Sequence, residues 1–307
     1  MQLLTWLPAI FSFIRPIINF LSKQKLLVAL WRSLVYLLSN EVYLQCAGVA
    51  FFGFVSIFPA LAAAFIVFGL FIDQASIDQL MSFAAPLLPT GPEELLASQL
   101  NALANQPTTE LSLKLLVTGL FAVWSGTRGM NALSLALTQA YQKQEKRWFY
   151  KRLFVSVVLT FGGILIAIVA LSTITIVPIG LELLPLSLDT NTWVLWIRWP
   201  LVSGLVLFGT FGLYWLAPDR QGSSWRMSWF WLLPGAVLAT FLWFGASFLF
   251  SMYVENYAAY DAIFGSITAV ILLLLWLYYS TMVFIFGAAF NAELKSLYGR
   301  QSKINQT

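Results

Sequence analysis

Six runs of about 20 or more mainly apolar residues dominate this chain, and a helix of that length crosses roughly 30 Å of hydrocarbon. They extend over Gly48–Ile72, Leu113–Leu137, Leu153–Val177, Trp196–Ala217, Trp229–Met252 and Ala262–Phe290. A segment in lipid has no water to satisfy its backbone N–H and C=O groups, so only helices and closed barrels span a membrane. Barrel strands would appear as short runs of alternating polarity, which this sequence lacks. The expected fold is therefore an all-α integral membrane protein, a bundle of six transmembrane helices. Composition agrees: 60% of the 307 residues are hydrophobic and 10% are charged, against roughly 25% charged in an average soluble domain.

Charge placement gives the orientation, because Lys and Arg are retained on the cytoplasmic side. Arg15, Lys23, Lys25 and Arg32 precede the first span, and Lys143, Lys146, Arg147, Lys151 and Arg152 follow the second. Arg220 and Arg226 follow the fourth, and Lys295, Arg300 and Lys303 follow the sixth. The intervening connections are acidic, with Asp73, Asp78, Glu93, Glu94 and Glu110, then Glu182 and Asp189, then Glu255 and Asp261. Both termini are thus expected in the cytoplasm. The expected organisation is an N-terminal arm over 1–40, a transmembrane domain over 41–294 and a tail over 295–307.

Two segments outside the spans read as helices. In the arm, Leu3–Leu21 is interrupted by Pro8, Arg15 and Pro16, which suits an interfacial segment better than a seventh crossing. Leu26–Leu38 then forms an amphipathic elbow into the first span. In the external connection, about 73–110, Thr90-Gly91-Pro92 precedes Glu93 and Glu94. That supplies a cap, a first-turn proline and dipole-matched carboxylates ahead of Leu95, Leu96, Leu100 and Leu103.

The chain has no His and a single Cys, Cys46. Within one chain that excludes disulfides, Cys/His zinc sites and histidine-dependent triads. No catalytic residue, metal site or cofactor is expected. Inside the spans the formal charge that stands out is Arg128, in Trp124-Ser125-Gly126-Thr127-Arg128-Gly129-Met130-Asn131. An intramembrane Arg is costly unless it faces water, a counter-charge or a headgroup. It lies about 22 Å along its span from Leu113, in the cytoplasmic third, from which it can also snorkel to the inner headgroups. Glu41, Gln45, Asn131, Asn291 and Glu293 fall at similar depth, so an inner polar site is expected in which Glu41 or Glu293 pairs with Arg128. A second polar group, Glu255, Asn256, Tyr257, Tyr260 and Asp261, marks the outer end of the last hairpin. Pro59, Pro178, Pro200 and Pro234 are positioned to kink spans, and Gly204, Gly209, Gly212 and Gly235 with Ala239 offer surfaces for close helix approach.

Several of these stretches together resemble the YihY/virulence factor BrkB family of bacterial membrane proteins, formerly labelled ribonuclease BN. They are Ala47-Gly48-Val49-Ala50-Phe51-Phe52 through Pro59, Trp124 through Asn131 with Tyr141 and Glu145-Lys146-Arg147, and Leu233-Pro234-Gly235. Others are Tyr253 through Tyr257, Tyr260, Phe264-Gly265-Ser266, Leu275 through Tyr278 and Gly287 through Leu294. The chain departs from the family at Phe51, Phe52 and Phe264, where tyrosine is usual, and at Asp261, where asparagine is common. The resemblance implies an inner-membrane protein of six spans and no settled activity. Phosphodiester hydrolysis normally uses metal-binding carboxylates or acid-base histidines, so the ribonuclease label finds no support in these residues. The expected function is transport or export of an anionic, lipid-like amphiphile. A scaffold using the basic cytoplasmic connection, or a membrane-bound hydrolase, are the alternatives. Membrane lipids are the expected partners, nucleic acid is not, and a homo-oligomer stays open.

Overall fold

A computed structural model describes residues 23–71, 108–182, 190–219, 229–256 and 266–304. All regular structure among them is helical. The helices are α1 (Lys23–Leu37), α2 (Asn40–Phe71), α3 (Thr108–Ala140), α4 (Phe149–Glu182), α5 (Thr190–Leu216), α6 (Leu233–Asn256) and α7 (Ser266–Ile304), with a 3-10 turn at Trp229–Trp231 before α6. The arm before α1, the expected helix after Thr90, and Tyr257, Tyr260 and Asp261 lie outside the described residues.

Five stretches are long and apolar enough to cross a membrane: Asn40–Ala64, Phe149–Thr173, Trp199–Leu216, Leu233–Val254 and Thr268–Tyr298. The remaining expected crossing, Leu113–Leu137, falls within α3. Its 33 residues rise about 50 Å and suffice for length. Lys114, Arg128, Asn131 and several Ser, Thr and Gly residues make it less apolar than the other five.

The chain divides into two compact units, Met1–Ala50 with Met130–Thr307, and Phe51–Gly129. In the larger unit α4 packs on α5, α5 on α6, α6 on α7 and α7 on α1. Its core joins Val42 and Cys46 to Leu133, Ala136 and Leu137, to Tyr214, to Ala236 and Ala239, and to Ile285 and Ala288. Small residues predominate on α6 and α7. Lipid is as apolar as leucine, so membrane helices associate through close packing and hydrogen bonds rather than by escaping water. The smaller unit shows the same device. A Cβ on Gly129 would lie 3.3 Å from Phe52 Cβ and 3.4 Å from Gly53 N, so α3 passes close to the α2 backbone.

The tightest crossing is between α6 and α7. A Cβ on Gly287 would fall 2.6 Å from the Gly235 carbonyl oxygen and 2.8 Å from Ala239 Cβ, and one on Gly235 would meet the Gly287 carbonyl. Of the prolines, Pro59, Pro178 and Pro200 lie inside helices. Pro234 instead occupies the first turn of α6, where a missing N–H costs no helical bond.

The large apolar side chains left exposed include Leu165 and Ile168 on α4, Phe208 on α5 and Phe241, Phe248 and Leu249 on α6. Such a surface is stable against lipid and not against water. α1 packs Ala29 against Phe290 and Leu294 of α7, while Leu27, Trp31, Leu34, Val35 and Leu38 stay exposed. The two helices are separated only by Leu38 and Ser39. Ser39 starts α2, its carbonyl accepting the N–H groups of Val42 and Tyr43.

The α6–α7 crossing yields a direct prediction. Gly287→Ala forces backbone apart and should cost about 1–3 kcal/mol. Gly245→Ala should cost nothing, because a Cβ there meets no atom within 4 Å. Thermal unfolding of the two variants in the same detergent checks the contrast, and equal melting temperatures would contradict it.

Candidate functional site

α3 ends in a turn that sets the geometry of the inner polar region. Lys143 N–H donates to the Thr138 carbonyl at 3.1 Å and Gln142 N–H to the Gln139 carbonyl at 2.7 Å. Gln142 sits at φ 56°. This is the paired-bond C-cap in which the residue after the helix turns left-handed. Glycine is usual there, since a side chain costs roughly 1 kcal/mol in that conformation. Here the side chain is used: Gln142 Nε2 donates to Glu293 Oε1 at 3.3 Å.

The turn delivers Glu145, Lys146 and Arg147 beneath the ends of α3 and α5. Arg147 Nε and Nη2 donate to the two Glu145 oxygens, each at 2.7 Å. Nη2 also donates to the Ala217 carbonyl at 2.7 Å and to Ser134 Oγ at 3.1 Å. Asp219 Oδ1 lies 3.9 Å from Nε, and Asp219 Oδ2 accepts the Lys146 N–H at 2.7 Å. Thr138 Oγ1 accepts the Asp219 N–H at 3.2 Å, and Ser134 Oγ donates to Ala217 O at 2.6 Å. The side chains of Arg147 and Asp219 are 4% and 2% exposed, so this is a desolvated charge cluster whose members are all bonded. It ties the end of α3, the following connection and the end of α5 together.

Asn291 of α7 makes a second buried station. Its Oδ1 accepts the Gly235 N–H at 2.7 Å, and its Nδ2 donates to the Leu232 carbonyl at 3.0 Å and the Tyr141 hydroxyl at 3.4 Å. The first N–H groups of a helix lack intrahelical partners, so Asn291 caps α6 from a neighbouring helix. Tyr214 completes the layer by donating to the Phe284 carbonyl at 2.7 Å.

The other expected site residues are placed as follows. Glu293 pairs with Arg32 at 3.5 Å, as well as with Gln142. Gln45 Nε2 donates to Gln139 Oε1. Asn131 Oδ1 is buried with no hydrogen-bond partner among the described residues. Glu41 is exposed in the first turn of α2, where a carboxylate complements the helix dipole. Burial, with Glu41 adding, pushes the Tyr36 hydroxyl above its usual range. Within the smaller unit Arg128 is exposed and its guanidinium lies over the Trp124 ring, 5.7 Å from the centroid. Glu255 and Asn256 end α6.

Sequence reasoning counted Arg147 among topological cations and did not single out Asp219. A signal was present. Glu41, Glu145, Asp219 and Glu293 fall on the basic side of an otherwise alternating charge pattern, and three of these four hold an Arg.

The family model described as Virulence factor BrkB matches residues 35–307, which include the whole of this polar layer apart from Arg32. The ribonuclease-like protein YfkH of Bacillus subtilis (strain 168) is 33% identical over 83% of this chain and 90% of its own length. A UPF0761 membrane protein of Idiomarina loihiensis is 28% identical over 69% of this chain and 70% of its own. One from Pseudoalteromonas atlantica is 24% identical over 99% and 92%. No solved structure matches.

Removing the Arg147 fork should be costly. Arg147→Met leaves Asp219 and Glu145 buried without their cation and should destabilise the protein by about 3–5 kcal/mol. Arg147→Lys keeps the charge and loses the bidentate geometry, so it should fall between wild type and Met. Detergent melting curves of the three proteins test that order, and a Met variant as stable as wild type would refute the role.

Proposed function

The chain belongs to the virulence factor BrkB family of membrane proteins, and from that footing we propose that it transports an anionic, lipid-like amphiphile across or out of the bacterial inner membrane. The carrying observation is Arg128: an exposed guanidinium on a long helix, resting on an indole face. A cation so placed can receive a phosphate or carboxylate headgroup while lipid tails stay against apolar helix surfaces. The acids found on the five most apolar stretches, Glu41 and Glu293, sit at their ends. That arrangement suits passage of a headgroup better than a proton or sodium relay through the midplane.

A scaffold role is favoured by a different feature. Trp148, just before α4, and Phe149 and Tyr150 at its start are largely exposed beside Lys146 and Lys151, an aromatic and basic surface fit for a protein or the inner-leaflet headgroups. In either case we take six crossings with both termini cytoplasmic, α3 making the sixth and α1 lying in the interface with its apolar side toward lipid. We also read the chain as no nuclease. It contains no His, and the described residues hold no group of three His, Cys, Asp or Glu arranged for a metal. Glu145 and Asp219 are already bound to Arg147. RNA cleavage that survived repeated purification and vanished on substituting one residue of this chain would overturn that reading.

Two further experiments bear on the proposal. In a Cys46→Ser background, cysteines placed near Arg147 or in the tail should react only from the cytoplasmic face, and ones near Glu93 or Asp189 only from outside. External labelling of the tail would overturn the orientation. Arg128→Ala should abolish movement of labelled anionic lipid between liposome leaflets. Arg128→Lys should also impair it, because Lys lacks the planar fork, whereas a mere membrane anchor would tolerate Lys. Folding is measured alongside, and a folded Lys variant with wild-type flux would dismiss Arg128 as a site residue.

A further inference from the structure

Between α6 and α7 of the larger unit the helices part to leave a groove of about 690 Å³, with Phe241, Gly245 and Phe250 on one wall and Trp276 and Phe286 on the other. Leu34 and Leu37 of α1 line the end nearest the α1–α7 contact. The walls are apolar apart from Ser247, Tyr279 and Ser280, and the Ser280 hydroxyl is taken up by the Trp243 indole N–H at 3.1 Å. Both flanking helices are among the five apolar enough to span, so the groove faces hydrocarbon.

What sets this groove apart from ordinary lipid-facing surface is the charge at one end. From Trp276 to Phe286 α7 rises about 15 Å, and Glu293 lies about 10 Å further along the same helix. Around Glu293 the structure gathers cations. Arg32 pairs with it while remaining 47% exposed, and Lys143 follows Gln142, whose amide bonds Glu293. Lys295 lies two residues further along α7, and Lys25 stands over the Tyr298 ring at 4.6 Å. Lys295 and the Lys25–Tyr298 contact thus lie within about one and a half turns of Glu293 on α7. An apolar slot about 15 Å long leading to a cationic rim about 10 Å beyond it has the polar and apolar order of one molecule, an anionic phospholipid of the inner leaflet.

We propose that the α6–α7 groove binds the acyl chain of an anionic glycerophospholipid whose headgroup lies against the Lys25, Arg32, Lys143 and Lys295 rim. This deepens the transport reading and rests on it only for what happens to the lipid afterwards. α1 supplies both groove wall and rim, through Leu34 and Leu37 on one side and Arg32 on another, so it aligns chain and headgroup.

The test uses full-length protein in liposomes containing phosphatidylglycerol or phosphatidylcholine with a photoactivatable acyl chain, and maps the adducts by mass spectrometry. Phosphatidylglycerol should label groove residues of α6 and α7 at least fivefold more densely than Leu165 of α4 or Phe208 of α5. Gly245→Phe should cut that labelling at least fivefold without lowering the melting temperature, since a Cβ there enters open space. Lys25→Gln with Arg32→Gln should bring phosphatidylglycerol labelling down to the phosphatidylcholine level. Equal labelling by the two lipids in wild type, or undiminished groove labelling in Gly245→Phe, would overturn the site. So would labelling that appears only after deletion of residues 1–22, because the chain's own arm would then be the occupant. Groove labelling without lipid flux overturns the transport reading and leaves the site standing; flux without groove labelling does the reverse.

Discussion

Where α6 meets α7, each of two glycines yields the space that a side chain would fill, and the carbonyl of the other takes it. The rest of the larger unit depends on that contact. In lipid, a helix pair gains little by hiding leucines, so stability comes from atoms in direct contact and from polar groups satisfied across the interface. Gly235 and Gly287 provide the first and Asn291 the second. Asn291 lies one turn past Gly287, which puts its amide within reach of the Gly235 N–H and the Leu232 carbonyl. Without the close approach the amide would be stranded; without the amide the start of α6 would leave buried backbone groups unpaired at about 1–3 kcal/mol each. Tyr214 then seats α5 on the same spot of α7 through the Phe284 carbonyl.

Arg147 solves a related problem at the helix ends. The last carbonyls of α5 and the chain leaving α3 must find donors, and Arg147 supplies them to Ala217 and Ser134 while two carboxylates balance its charge. Burying an ion pair is seldom a net gain over apolar packing. Its value lies in geometry, because five donors in a fixed fork accept one arrangement of α3, the connection and α5. A slipped register would leave a buried charge unpaired.

The helical bundle was legible because apolar length is a strong signal, and five of the expected segments recur as helices of suitable length and apolarity. The sixth is long enough but weaker in apolarity, and for a physical reason. Ser125, Thr138 and Thr118 bond back to carbonyls one turn earlier, hiding polarity that a residue scale counts in full. The polar layer was legible only as depth. Counting residues along the spans assigns Asn291, Glu293 and Gln45 a depth, but their partners depend on which faces meet. Nothing in the sequence marks Asn291 as the cap of α6, or Gln142 as a left-handed residue holding Glu293. Arg147 was hidden by its company, since a run of cations after a span has a sufficient explanation in topology.

Hydrogen bonds already made within the bundle narrow where a ligand can act. Most hydroxyls on the described helices donate to their own backbone, as Ser33, Ser156, Thr160, Thr210 and Thr281 do, and Asn291 and Arg147 are committed to neighbouring helices. Polar groups spent in this way hold the bundle and have little left to offer a passing molecule. Six buried polar atoms lack partners among the described residues, on Gln45, Thr127, Asn131, Thr240, Ser247 and Thr268, and they are distributed over α2, α3, α6 and α7; the guanidinium of Arg128 is exposed.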